Sequence, residues 1–188
     1  MIYTELTKKA MRIAFDVHKE QTDKTGMPYI FHPILVANQM TDEITTCVAL
    51  LHDVLEDGKI TLDYLKKQGF SDEMLGALKV LTHDENVPYM DYIAEVKKNK
   101  IATKVKLADL KHNSDITRLS FIDEKSIYRM QKYKVAIALL TDGKDKKEKK
   151  TASKTAKTTK TTKTSKAGTK SKSSDKKTTK KSTKKSEK

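Results

Sequence analysis

The sequence predicts an all-α domain, a bundle of helices followed by a disordered Lys-rich C-terminal tail. Three observations predict it. Apolar residues recur at three- and four-residue spacing from near the N-terminus to about Leu140. No alternating strand pattern, Gly-rich phosphate loop or internal repeat interrupts them. Every hydrophobic side chain larger than alanine lies before residue 144.

The elements follow in order. Thr4 is placed to cap a first helix with Leu6, Ala10, Ile13, Ala14 and Val17 on one face, which ends before the turn at Gly26-Met27-Pro28. His32-Pro33 opens a second helix running to about Met40, with Pro33 tolerated in the first turn. A third, from about Asp42 to Asp57, is apolar on most sides through Cys47-Val48-Ala49-Leu50-Leu51 and is expected at the centre; Gly58 stops it. A short helix follows Thr61, another runs from the cap Ser71 to about Thr82, and a third from about Pro88 to Lys98. Residues 100–119 form one more, ended or interrupted near Asn113-Ser114. Asp123 starts the last, with Ile127, Met130, Tyr133, Ile137 and Leu140 on one face, and Gly143 ends the fold.

The charge divides at the same boundary. The 188 residues carry 39 Lys plus Arg against 25 Asp plus Glu, a net of +14. Residues 144–188 hold 19 Lys and only four acids (Asp145, Glu148, Asp175, Glu187), which leaves residues 1–143 at net −1. The body is therefore not a globally basic nucleic-acid binder. It is expected to be one domain, large enough to bury about two thirds of its unfolded surface. The tail, whose only apolar side chains are Ala152, Ala156 and Ala167, cannot offset its chain entropy and is expected to be disordered. The single cysteine, Cys47, excludes an internal disulfide framework. No apolar run approaches the roughly 18 residues of a membrane span, and Met1 to Ala10 lacks a signal-type core, so a cytoplasmic protein with no membrane partner is expected.

Polar residues inside the apolar helices locate the chemistry. His52 and Asp53 follow Ala49-Leu50-Leu51, where an unpaired acid is costly and a divalent cation would compensate it. Glu56 and Asp57 lie four residues after His52 and Asp53 and add two carboxylates on the same side. His32 sits at a helix start after Tyr29-Ile30-Phe31, and Asp109 ends the apolar stretch from Val105. Lys106, Asp109 and Asn113 share one helix face, placing a cation and an amide beside a candidate ligand. The imidazole and carboxylate mixture suits Mn, Fe or Zn better than Mg or Ca. His18, His83 and His112 are read as ordinary hydrogen-bonded residues.

The ordered motifs Gly26-Met27-Pro28-Tyr29-Ile30-Phe31-His32-Pro33, Ala49-Leu50-Leu51-His52-Asp53-Val54-Leu55-Glu56-Asp57, Leu81-Thr82 and Val105 through Asn113 resemble the HD-domain metal-dependent phosphohydrolases. Within them, the chain is similar to the RelA/SpoT hydrolase domain and to stand-alone small alarmone hydrolases. The resemblance covers about residues 6–140. It implies an HD-type helical bundle over residues 1–143 and a metal, usually Mn²⁺, held by His32, His52, Asp53 and Asp109. By the same resemblance Glu56 and Asp57 position or activate the attacking water, and Lys24, Tyr29, Lys106 and Asn113 lie at the nucleotide. The implied reaction is hydrolysis of the 3′-diphosphate of guanosine tetra- or pentaphosphate (ppGpp/pppGpp) to GDP or GTP and pyrophosphate.

The chain departs from that pattern at one position. Where the family carries an Arg before the loop lysine it has Asp23, which cannot supply the cation. That departure motivates an alternative substrate, an adenosine alarmone or NADPH. A further alternative is a non-catalytic HD module that the tail tethers to nucleic acid. Only the Lys-rich tail follows the body, so the synthetase activity of longer family members is not expected. Lysines spaced by Thr, Ser and Ala suit either non-specific, salt-sensitive contacts to nucleic-acid phosphates or a solvated low-complexity extension without a defined partner. The sequence assigns no oligomeric state.

Overall fold

A computed structural model of the chain describes residues 1–57, 60–119 and 121–142; of Asp57 it describes the backbone. The expected stops at Gly58 and Gly143, the side chain of Asp57 and the tail 144–188 lie outside the described residues. The described residues are helical and contain no strand: α1 (Glu5–His18), α2 (Phe31–Ala37), α3 (Glu43–Leu51), α4 (Val54–Asp57), α5 (Leu62–Lys67), α6 (Asp72–Leu81), α7 (Tyr89–Lys98), α8 (Lys100–Asn113) and α9 (Glu124–Thr141), with a 3₁₀ turn at Ile116–Arg118. None of these helices is long and apolar enough to cross a membrane.

Side-chain caps set most helix starts. Thr4 and Thr7 cap each other reciprocally at α1, and Asp42, Thr61, Ser71, Asn99 and Asp123 accept first-turn amides at α3, α5, α6, α8 and α9. Each such cap satisfies an amide that the helix itself leaves unpaired. α3 is the central element. Thr45 through Leu51 are all buried, and α1, α2, α6 and α8 pack around it. Its two internal threonines do not leave polar atoms orphaned among apolar side chains. Thr46 Oγ1 donates to the Asp42 carbonyl at 2.6 Å, and Thr45 Oγ1 to the Asp42 carboxylate at 2.7 Å.

Two expected helix boundaries and one expected inward residue differ in the structure. The second helix ends at Ala37 instead of Met40, because Gln39 and Met40 donate to the carbonyls three residues back, Val36 and Ala37, while the Met40 side chain turns into the core. The third helix breaks at His52-Asp53. There His52 Nδ1 lies 2.8 Å from the Ala49 carbonyl, the acceptor a continuing helix would offer to the amide of Asp53. On the last helix Ile127 is 46% exposed, and Ser126 takes the inward position ahead of Met130, Tyr133, Ile137 and Leu140. Asp123 Oδ1 accepts from both the amide and the hydroxyl of Ser126, and Ser126 lines a cavity at that end of α9.

The α1–α2 connection shapes one wall of that cavity. Asp23 N–H donates to the Met27 carbonyl and Tyr29 N–H to the Gln21 carbonyl, each at 2.8 Å, so residues 21–29 fold back on themselves. Gly26 makes the reversal at φ +84°, a conformation that a side chain would strain.

Candidate active site

The break between α3 and α4 places His52 and Asp53 opposite the start of α2 and the middle of α8. One ligand atom each from the buried His32, His52 and Asp109 lies within 4.8 Å of the others. Asp53 joins them: its Oδ2 is 3.2 Å from His52 Nε2 and 3.7 Å from His32 Nε2. Asp109 Oδ1 is 3.2 Å from His32 Nε2. Of the four positions singled out in the sequence, His32, His52 and Asp109 thus lie together, and Asp53 adjoins the two histidines. With its Nδ1 committed to the Ala49 carbonyl, His52 turns Nε2 into the cluster. Two imidazole nitrogens and two carboxylate oxygens form a donor set suited to a divalent transition metal. The residues present fit such an ion.

The surrounding groups orient these ligands. The Tyr29 hydroxyl donates to Asp53 Oδ2 at 2.5 Å, and Asn113 Nδ2 donates to Asp109 Oδ1 at 2.5 Å. Lys106 Nζ lies 2.9 Å from Asp109 Oδ2 and 5.4 Å from the centroid of the Tyr92 ring. Burial alone would raise the Asp109 pKa, but the Lys106 ammonium beside it overrides that and holds the carboxyl well below the usual range. Burial likewise opposes the Lys106 charge, yet Asp109 and Tyr92 keep its pKa well above the ordinary lysine value. Tyr92 is pushed up to about 12, chiefly by its own burial.

Beside the cluster lies a cavity of about 250 Å³, lined by residues of the 21–29 loop, by His32 and Asn113, by Arg118 of the 3₁₀ turn, and by Arg129 and Tyr133 of α9. Lys24 lines it, its pKa lowered by partial burial and by the nearby Arg129 and Lys132, which Asp123 partly offsets. Tyr29 and Asn113 face both cavity and cluster. Lys106 serves Asp109 and is not among the cavity residues. Glu56 is exposed and accepts a hydrogen bond from the His83 amide at 2.5 Å.

Asp23 is turned into its own loop. Its Oδ1 accepts from the amides of Thr25 and Met27 at 2.8 and 3.1 Å and from the Thr25 hydroxyl at 2.6 Å. Its Oδ2 receives Arg118 Nη2 at 2.9 Å. Burial works to raise its pKa, and these bonds together with Arg118 bring it below the usual value. The acid that stands where the family carries an Arg is therefore paired with Arg118, which also lines the cavity.

Sequence reasoning missed Arg118, Arg129 and His112. His112 Nδ1 is 2.7 Å from His32 Nδ1 and 2.9 Å from Arg118 Nη1. Burial, with His32 and Arg118 nearby, pushes the His112 pKa down to about 4. Arg129 has a sequence signal in its position four residues before Tyr133 on the inward side of α9; Arg118 and His112 carry no local signal.

No protein-family model matches the chain. Among curated relatives, it is 34% identical over 97 residues to the guanosine-3′,5′-bis(diphosphate) 3′-pyrophosphohydrolase of Aquifex aeolicus, covering 50% of this chain and 14% of that protein. It is 33% identical over 140 residues to the protein of the same name from Borreliella burgdorferi, covering 66% and 20% respectively. The chain thus spans a fifth or less of the length of these two relatives. A solved structure, described as a metazoan ortholog of SpoT that hydrolyzes ppGpp and plays a role in starvation responses, matches with a TM-score of 0.63 and 22% identity over 76% of this chain and 89% of that one. That match establishes a shared fold. In sequence and in fold, the chain resembles the RelA/SpoT-type HD hydrolases.

Proposed function

We propose that this chain hydrolyses the 3′-diphosphate of guanosine tetra- or pentaphosphate to GDP or GTP and pyrophosphate, with Mn²⁺ as its metal. The observation that carries this reading is the convergence of His32, His52, Asp53 and Asp109 beside a cavity bearing Lys24 and Arg129. The sequence similarity to enzymes named for this reaction supports it.

Bound to these four residues, a divalent ion would acidify water and stabilise charge on phosphorus. The protein's own groups supply the rest. Tyr29 and Asn113 fix the carboxylates of Asp53 and Asp109, and Lys106 keeps Asp109 ionised. Lys24 and Arg129 receive the anionic substrate from the cavity side. Water contributes the new oxygen to phosphorus, the bond from phosphorus to the 3′-oxygen breaks, and that oxygen leaves as the ribose hydroxyl. Glu56 and Asp57 form the acidic pair assigned to the water's proton. Residues 1–143 carry this chemistry, and residues 144–188 add salt-sensitive binding to nucleic-acid phosphates without changing turnover.

A panel of nucleotides assayed with Mn²⁺ and with chelator tests the assignment by released pyrophosphate or phosphate. Metal-dependent pyrophosphate release from the guanosine alarmones is expected. Turnover of an adenosine alarmone or NADPH in their place would overturn the substrate, and no turnover of any member would overturn the catalytic reading.

A further inference from the structure

His112 lies between the metal cluster and the cavity wall, and two nitrogens compete for one of its ring atoms. Arg118 Nη1 approaches His112 Nδ1 at 2.9 Å, and His32 Nδ1 approaches the same atom at 2.7 Å. A guanidinium only donates. An Arg118 Nη1–H directed at His112 Nδ1 needs the lone pair there, and in that arrangement the proton of the short His32 contact sits on His32 Nδ1. The His32 proton being placed there, its Nε2 is left bare, and that is the atom 3.2 Å from Asp109 Oδ1 and 3.7 Å from Asp53 Oδ2.

Arg118 is itself held in place. Asp23 Oδ2 takes its Nη2 at 2.9 Å, and its Nη1 also reaches the His112 carbonyl at 3.2 Å. Asp23 is anchored by the folded-back loop, so the guanidinium is gripped from both sides. We infer that Arg118, clamped by Asp23, is a positioning residue that acts through His112 to hold His32 in the tautomer whose Nε2 can bind a metal. The inference rests on the metal-site reading of the cluster. It assigns Asp23 a role as well, since the acid orients the arginine that sets the tautomer.

A competing role for Arg118 is purely structural, as a cation hydrogen-bonded to the last turn of α8. The two roles differ in what they do to proton position. The first measurement needs no variant: long-range ¹⁵N–¹H correlation spectra of the metal-free full chain at neutral pH report the tautomer of each histidine. Protons on His32 Nδ1 and His112 Nε2 are expected; a proton on His112 Nδ1 would overturn the inference. The second compares Mn²⁺ dissociation constants, without nucleotide, for wild type, Arg118→Met and Arg118→Lys. Arg118→Met should bind Mn²⁺ about 10- to 100-fold more weakly, the range for lost partners of metal-ligating histidines. Arg118→Lys keeps a donor and should recover much of that loss. Unchanged affinity in a folded Arg118→Met protein, with His32 still protonated at Nδ1, would reduce Arg118 to a structural clamp. Failure of wild type itself to bind Mn²⁺ would instead refute the metal reading, while the tautomer spectra decide separately whether Arg118 sets the proton on His32.

Discussion

Replacing Lys106 by Met leaves the Asp109 carboxylate buried without its ammonium. The side chains of Lys106 and Asp109 are 16% and 5% exposed, so solvent screens their contact weakly. At 2.9 Å and an effective dielectric of about 20, the pair attraction is about 6 kcal/mol. Part of this returns because Met, unlike Lys, needs no desolvation of a charge, and Asn113 still donates to Asp109. The net loss is about 3 kcal/mol, at the low end for breaking a buried pair. For a domain of this size that lowers the Tm by about 10 °C. Urea denaturation in chelator at pH 7 measures it, and the double variant Lys106→Met/Asp109→Asn should regain most of the loss by removing the stranded charge.

The pH dependence has a defined sign. In the wild type the Asp109 pKa is depressed on folding, so its contribution is present above the unfolded value near 3.9 and is lost only as pH falls below it. In Lys106→Met, burial without the ammonium favours the neutral acid. The folded variant then takes up a proton earlier than the unfolded chain, and its deficit against wild type should shrink between pH 8 and pH 5. A deficit independent of pH, or a double variant no more stable than the single one, would refute the account of Lys106 as the charge partner of Asp109.

Mn²⁺ at about 100 times its dissociation constant should stabilise the protein by about 2.7 kcal/mol, seen as a rise in Tm that chelator reverses. Asp53→Ala should lose both bound Mn²⁺ and turnover, whereas Glu56→Gln should keep the metal and lose turnover; equilibrium metal binding and single-turnover assays separate the two. Cys47 is wholly buried, with a thiol pushed up to about 12 by burial and by Glu43, so it should resist thiol reagents at pH 8 until the protein is unfolded.

Helix starts and the central helix are legible in the sequence because their causes are local. Thr4, Ser71 and Asp123 announce helix starts because a cap is a three-residue interaction, and α3 announces its place because seven consecutive buried residues leave no polar face. The break at His52 is not legible, because it depends on one ring nitrogen taking a backbone acceptor, which helical periodicity does not encode. Periodicity also turns Ile127 inward on α9, yet the inward position there is taken by Ser126, whose amide and hydroxyl are both held by Asp123. The four proposed metal ligands stand out as polar residues in apolar company. His112 and Arg118 do not, since their contacts to His32 and Asp23 join residues 80 and 95 positions apart.

A near-neutral body can still receive a highly anionic substrate. That body supplies no global positive field of its own, because residues 1–143 carry net −1. The cations are instead sorted by partner. Lys106 is committed to Asp109 and Arg118 to Asp23, each in a contact of 2.9 Å. Lys24 is partly buried near Arg129 and Lys132, and its pKa is lowered first by that burial and then by these like charges, with Asp123 opposing in part. Gathering them in the free protein opposes folding, and a polyphosphate placed among them would relieve that repulsion. The favourable field is thus concentrated at Lys24 and Arg129, on the cavity wall that His32 and Asn113 share with the His/Asp cluster.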